Sequence, residues 1–253
     1  GSKYFYKHGG RTKRNGVEEY DCEMSGFVAL LEAMKSSAVA KLSIADCDIG
    51  SKGLMTSAPL ISVVAALKEI TLDGQPITGS KYKYGQKSEG VREYDCDPSG
   101  LVALLEAMKS SAVTKLSISD CDIGPHGLKT SAPLISVIAA LNTITLDSTG
   151  DVKNPKKYTI SGLQGGAEPS LDLSSLNFGP ADVSLLATLM TSFKLFTTAM
   201  TKIDISKNNI GADGAKALAD VIPASKVETL VIGNGVEIST RGTDAATLDF
   251  RRF

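Results

Sequence analysis

Four cysteines and two histidines are the residues best able to do chemistry in this 253-residue chain, and their spacing decides their use. Cys22 and Cys96 lie 74 residues apart, and so do Cys47 and Cys121. Equivalent positions in a repeated sequence do the same structural job. The thiols are therefore expected to be reduced and largely buried, with Cys47 and Cys121 pointing inward at the turn after a strand. No Cys-x-x-Cys and no Cys/His pair at zinc spacing occurs. A bridge between equivalent cysteines would need their Cα atoms within about 7 Å, which the repeat spacing argues against. His8 and His126 share no motif with an acid or a cysteine, so no Ser-His-Asp set can be assembled. No catalytic, cofactor-binding or metal-ligating residue is nominated, and a non-enzyme is expected.

Other stretches that could carry chemistry have plainer readings. GPHGLKT, from Gly124 to Thr130, lacks the second half of G-x-x-x-x-G-K-S/T, and its copy GSKGLMT has Met55 in place of Lys129. GLQGG at Gly162–Gly166 precedes a strand, whereas a dinucleotide turn joins a strand to a helix. Asp46, Asp48, Asp120 and Asp122 lie in D-C-D-I-G, which lacks calcium-loop ligand spacing; turn-stabilising or solvated acids are expected.

The remaining candidates are for binding. Between paired apolar positions stand Ser43, Thr71, Ser117, Thr145, Asp172, Asp204 and Asp249, with Arg92 and Arg251 next in line. If each apolar pair is a strand, these residues share its opposite face. They form either a solvated polar surface or an interface for a protein or peptide. Tyr82, Tyr84 and Tyr158 fall in segments without helical periodicity. They either cover the side of the fold locally or make an aromatic contact patch.

The elements that would hold these residues come from internal repetition. Glu19–Asp73 returns as Glu93–Asp147 at a constant offset of 74, and a diverged copy runs from about Ser170 to Ile232. Val39-x-x-Leu42-x-Ile44-x-x-Cys47-x-Ile49 recurs as Val113-x-x-Leu116-x-Ile118-x-x-Cys121-x-Ile123 and as Met200-x-x-Ile203-x-Ile205-x-x-Asn208-x-Ile210. The second apolar positions fall at 17, 44, 72, 91, 118, 146, 173, 205, 232 and 250, which predicts ten short strands. Phe27, Val28, Leu30, Leu31 and Met34 give a helical stripe, repeated from Leu101 to Met108 and from Val183 to Met190. A second helix follows each Cys or Asn strand. Pro59 and Pro133 predict that two of these helices are kinked or begin late. Every third connection, such as Gly74–Gly90, has no helical stripe and reads as a hairpin or loop.

This pattern, L-x-x-L-x-L-x-x-N/C-x-I followed by a helix at steps of mostly 27 or 28 residues, resembles the leucine-rich repeat. KIDISKNN followed by IGADGAKALAD is most similar to the ribonuclease-inhibitor-like subclass, and to long arrays predicted in protists and algae. The resemblance implies an α/β solenoid, a horseshoe or right-handed superhelix. Its parallel sheet would be concave, its helices convex, and β-hairpin segments would replace every third helix. It also implies a non-catalytic module for protein–protein interaction or scaffolding. A segment of a structural array, or a GTPase regulator similar to Ran GTPase-activating protein, stands as the alternative.

Composition narrows the rest. Bases number 27 and acids 28, which gives a polyanion partner no electrostatic footing, so no nucleic-acid partner is expected. No apolar run approaches the roughly 18 residues that span a membrane, and the start has no signal-peptide segment. An intracellular, cytoplasmic location is expected. One solenoid over 1–253 is expected, in super-repeats of about 17–90, 91–164 and 170–253. The ends read as cut from a longer array, which predicts end-to-end self-association.

Overall fold

The computed structural model describes residues 3–9, 12–19, 23–83, 90–165 and 169–240; side chains of 3–9 and 12–19, Tyr82 and Arg92 are not described. The chain divides into two compact units, Gly1–Gly127 and Leu128–Phe253.

The first unit opens with β1 (Lys3–Gly9) and β2 (Thr12–Glu19), an antiparallel pair. There follow α1 (Ser25–Met34), β3 (Lys41–Ser43), α2 (Ser51–Ser62) and β4 (Glu69–Thr71). A second antiparallel pair, β5 (Lys81–Tyr82) with β6 (Val91–Glu93), leads to α3 (Ser99–Met108) and β7 (Lys115–Ser117). Strands β3, β4 and β7 pair in parallel, placing Leu42, Ile70 and Leu116 side by side. The ladder runs one step past each short strand, with Ile44 N donating to Thr71 O at 3.0 Å and Leu72 N to Ser117 O at 2.9 Å. Leu42, Ile44, Ile70, Leu72, Leu116 and Ile118 are all buried, as alternation along a strand requires. Helix α3 closes this core with Leu101, Leu104, Leu105 and Met108.

Helix α4 (Pro125–Ile135) contains the division between the units. The second unit holds β8 (Thr143–Asp147), β9 (Lys157–Ser161), β10 (Ser170–Asp172), α5 (Pro180–Ser192), β11 (Lys202–Asp204), α6 (Gly211–Val221), β12 (Thr229–Ile232) and β13 (Val236–Ser239). Strands β10, β11 and β12 pair in parallel, and β13 turns back antiparallel on β12. Strand β9 does the same on β8. Within each unit helices alternate with parallel strands, the plan of an α/β leucine-rich-repeat solenoid.

Several expectations are corrected. Val17 and Val91 do not join the parallel ladders: they lie in β2 and β6, whose partners are the antiparallel β1 and β5. The strand expected at 248–250 lies outside the described residues. Helices α2 and α4 do not begin late, because each starts at the turn and runs through its proline. Pro59 comes three residues before the end of α2, so little of the helix depends on the missing N–H.

The turn after each strand is held in three ways. Asp46, Asp48, Asp120 and Asp122 all have φ between 49° and 54°. Aspartate tolerates this left-handed backbone because its short polar side chain bonds locally, so these acids do turn work. The other groups to be satisfied are backbone N–H and C=O left open at the bend. In the first turn Gln75 does this, accepting from Ile49 N at 2.7 Å and donating to Ile44 O. In the second, Cys121 donates to Leu72 O at 3.2 Å. In the third, Asn208 donates to Leu173 O at 2.8 Å and Ile205 O at 3.0 Å, and accepts from Leu176 N and Phe178 N.

Because Gln75 fills the first bend, Cys47 is displaced outward. It is exposed, Cys96 is half-buried and Cys121 is buried, and all three are free thiols. Cys22 lies outside the described residues. The expectation of uniformly buried thiols fails, since neighbouring side chains can take over a cysteine's place. Native-state labelling with a thiol reagent is expected to modify Cys47 fast and Cys121 only on unfolding. Equal rates at the two sites would contradict the turn assignment.

The entry to α3 has its own titrating group. Asp97 accepts from Ser99 Oγ at 2.6 Å and from Ser99 N at 3.1 Å. The Ser99 hydroxyl bond, joined by the backbone one, holds the carboxyl below its usual range despite some burial. A depressed acid stabilises the fold fully above its unfolded pKa, and that contribution is lost as pH falls through the lower folded value. Asp97→Ala is expected to cost about 1 kcal/mol or less near neutrality, allowing for solvent screening. The gap between variant and parent should close in acid. A gap that stays constant from neutral to acid melts would exclude the charged cap.

Candidate interaction face

Parallel register places equivalent residues of successive repeats side by side, so the outward face carries rows. In the first unit Ser43, Thr71 and Ser117 form one row and Lys41, Glu69 and Lys115 the next. Ser43 is exposed, and Thr71 and Ser117 are half-buried. Ser117 Oγ donates to Asp73 Oδ1 at 2.6 Å, and Ser119 N donates to the same oxygen at 3.0 Å. Glu69 lies between two ammonium groups, Lys41 at 3.0 Å and Lys115 at 3.2 Å. Hydrogen bonds from Lys41 and then Lys115 hold its carboxyl below the usual range. The result is a polar strip of fixed spacing in which hydroxyls and alternating charges are presented on short, paired strands.

In the second unit the faces are separate. Thr145 and Thr159 hydroxyls are 2.9 Å apart across β8 and β9. Asp172 and Asp204 are register partners on β10 and β11. Each carboxylate accepts from a backbone N–H two residues on, Ser174 or Ser206, at 2.9 Å. The Ser174 backbone bond, ahead of its hydroxyl, lowers the Asp172 carboxyl. Val231, next in the row, is buried, which interrupts the acidic line before Glu237. Lys202 pairs with Glu237 at 2.6 Å.

The structure thus assembles Ser43, Thr71 and Ser117 in one unit, and Thr145, Asp172 and Asp204 on strand faces of the other. Arg92 does not join a row, because among the described residues β6 pairs only with β5. Asp249, Arg251 and Tyr84 lie outside the described residues, and Tyr82 is placed only by its backbone in β5. Tyr158 is corrected: it is 5% exposed and its ring lies 4.7 Å from that of Phe178, so it belongs to the core. Burial, then the nearby Asp182 and Asp147 charges, push its phenol well above the ordinary range. The Lys41, Glu69 and Lys115 row was missed by reading only the residue between each apolar pair. The signal was one position earlier, where Lys, Glu and Lys precede successive inward Leu or Ile residues.

Among the described residues no group of three or more His, Cys, Asp or Glu is placed to hold a metal ion. No described helix is long and apolar enough to cross a membrane. A comparison with curated proteins finds no match. The Leucine Rich repeat family model matches residues 39–56, 109–130 and 198–219. Those spans hold β3, β7 and β11 with the turn and helix start that follow each. This agreement between motif and geometry supports a leucine-rich repeat protein.

Proposed function

We propose that the chain is a non-catalytic interaction module that binds a protein or peptide through the polar outward faces of its strands. Leucine-rich repeats are commonly protein-interaction modules and generally non-catalytic. The observation that carries the reading is the doubled row on β3, β4 and β7, where hydroxyls at Ser43, Thr71 and Ser117 adjoin the Lys41–Glu69–Lys115 charges. Strand pairing fixes these groups in advance, which lowers the ordering cost of binding. The partner that fits is a polar segment offering both carboxylate and ammonium groups at matching intervals. A ribonuclease-inhibitor-like subclass is supported by helices α2, α4 and α6, which follow strand and turn at each motif. The structural-array and GTPase-regulator readings rest on the resemblance alone.

The test is affinity capture from the native host by the parent protein, by Thr71→Arg on the face, and by Met55→Arg on an exposed helix position. A partner retained by the parent and Met55→Arg but lost with Thr71→Arg supports the sheet face. A partner lost only with Met55→Arg would move binding to the helices.

A further inference from the structure

Helices α1 and α3 have the same sequence except at one position, SGFVALLEAM against SGLVALLEAM. Their surroundings differ sharply. Helix α3 receives the start of α2: Gly100 N donates to Ser51 Oγ at 2.8 Å, and the Ser51 and Ser99 hydroxyls are 3.2 Å apart. The approach is so close that a Cβ on Gly100 would lie 2.2 Å from Ser51 O. At Gly26, the equivalent in α1, nothing lies within 4 Å. Leu30 is 51% exposed where its counterpart Leu104 is 0%. Val39 is 39% exposed where Val113 is 0%. Helix α1 therefore keeps a receiving surface whose occupied version is present in the same unit.

We propose that this surface binds helix α6 of a second copy of the chain. Within the chain, the α1/α3 type of helix is received by the helix that follows a motif strand. Helix α6 is of that type: Ile210-Gly211-Ala212-Asp213-Gly214 matches Ile49-Gly50-Ser51-Lys52-Gly53. Its covered flank would be Ala212 and Ala219, at the positions of Ser51 and Ala58. In α2 both are buried, at 5% and 1%. In α6, Ala212 is exposed and Ala219 half-buried. Both are small enough for the close approach that a glycine such as Gly26 permits. The contact extends a packing mode already established between α2 and α3. It joins unlike faces, so it is heterologous. Strand β13 occupies the edge of β12, so helices alone carry the contact and it is weak and reversible. The outward strand faces take no part, so this proposal and the sheet-face reading stand or fall separately.

The test is sedimentation velocity over a concentration series. The parent should gain mass with concentration. Gly26→Arg and Ala212→Arg should each stay monomeric and melt no lower than the parent, since nothing lies within 4 Å of Gly26 and Ala212 is exposed. Leu30→Glu serves as a second change to the α1 face. An equimolar mixture of Gly26→Arg and Ala212→Arg should form dimers and stop there, because one intact face of each kind remains. A parent that is monomeric throughout overturns the proposal. So does association that survives in Ala212→Arg, which would mean that α1 meets something other than α6, and so does a mixture that stays monomeric.

Discussion

Asn208→Ala is expected to destabilise the second unit by about 3–5 kcal/mol, read from urea unfolding midpoints. The side-chain oxygen accepts from Leu176 N at 2.9 Å and from Phe178 N at 3.0 Å, while its amide bonds Leu173 O and Ile205 O. Alanine would leave these backbone groups without a partner in a part-buried bend. Each orphaned group costs about 1–3 kcal/mol, and water can reach only some of them. Asn208→Asp keeps the acceptor and loses the donor, so it should fall between the two. The neighbouring Asn209 is exposed, and Asn209→Ala should be nearly neutral. A loss below about 1 kcal/mol in Asn208→Ala would mean that the turn holds itself.

The second large effect is a pair of like substitutions with opposite sign. Gly100→Ala should cost about 3 kcal/mol or more, because its Cβ would meet backbone atoms of Ser51 at 2.2 to 2.7 Å. Backbone cannot rotate away as a side chain can, so α2 and α3 must separate. Gly26→Ala occupies the same position one repeat earlier and meets nothing within 4 Å. It should stabilise by up to about 1 kcal/mol through helix propensity. Thermal melts of the two variants against the parent decide it. If both move in the same direction, the α1 and α3 environments are not as different as described.

How much of this was legible follows from which interactions are local. Leu42, Leu116 and Ile203 could be assigned to the core because side-chain alternation over a few residues depends on nothing distant. The paired helices could be read from stripes such as Leu101–Met108 for the same reason. The hairpins were legible as non-helical, but their pairing was not. Strand β6 joins β5 and leaves β4 to pair with β7, whereas β13 stays on β12. That choice depends on where buried groups such as Gln75, Thr78 and Ser80 find partners, which no local pattern encodes. Cys47 shows the same limit. Its immediate context, Asp46 to Gly50, is the same as Asp120 to Gly124 around Cys121, yet Gln75, 28 residues further along the chain, takes its place in the bend. Tyr158 was legible as part of a non-helical segment, as local cover or as a contact patch, but only its alternation with Ile160 along β9 puts it in the core. The rows on the outward face needed register, which only the paired strands supply.

The backward turn of β13 has a meaning for growth. A row of parallel strands behaves like a living polymer, since each addition leaves an end equivalent to the last. An antiparallel strand is a terminator: it consumes the reactive edge of β12 and presents a different one, whose Val236, Glu237 and Ser239 are exposed. Among the described residues, a parallel strand docking from another molecule then finds no matching template at this edge. The second unit thereby limits its own propagation through a reversal of chain direction, and the repeat can be multiplied in sequence without its sheet becoming a nucleus for unlimited extension.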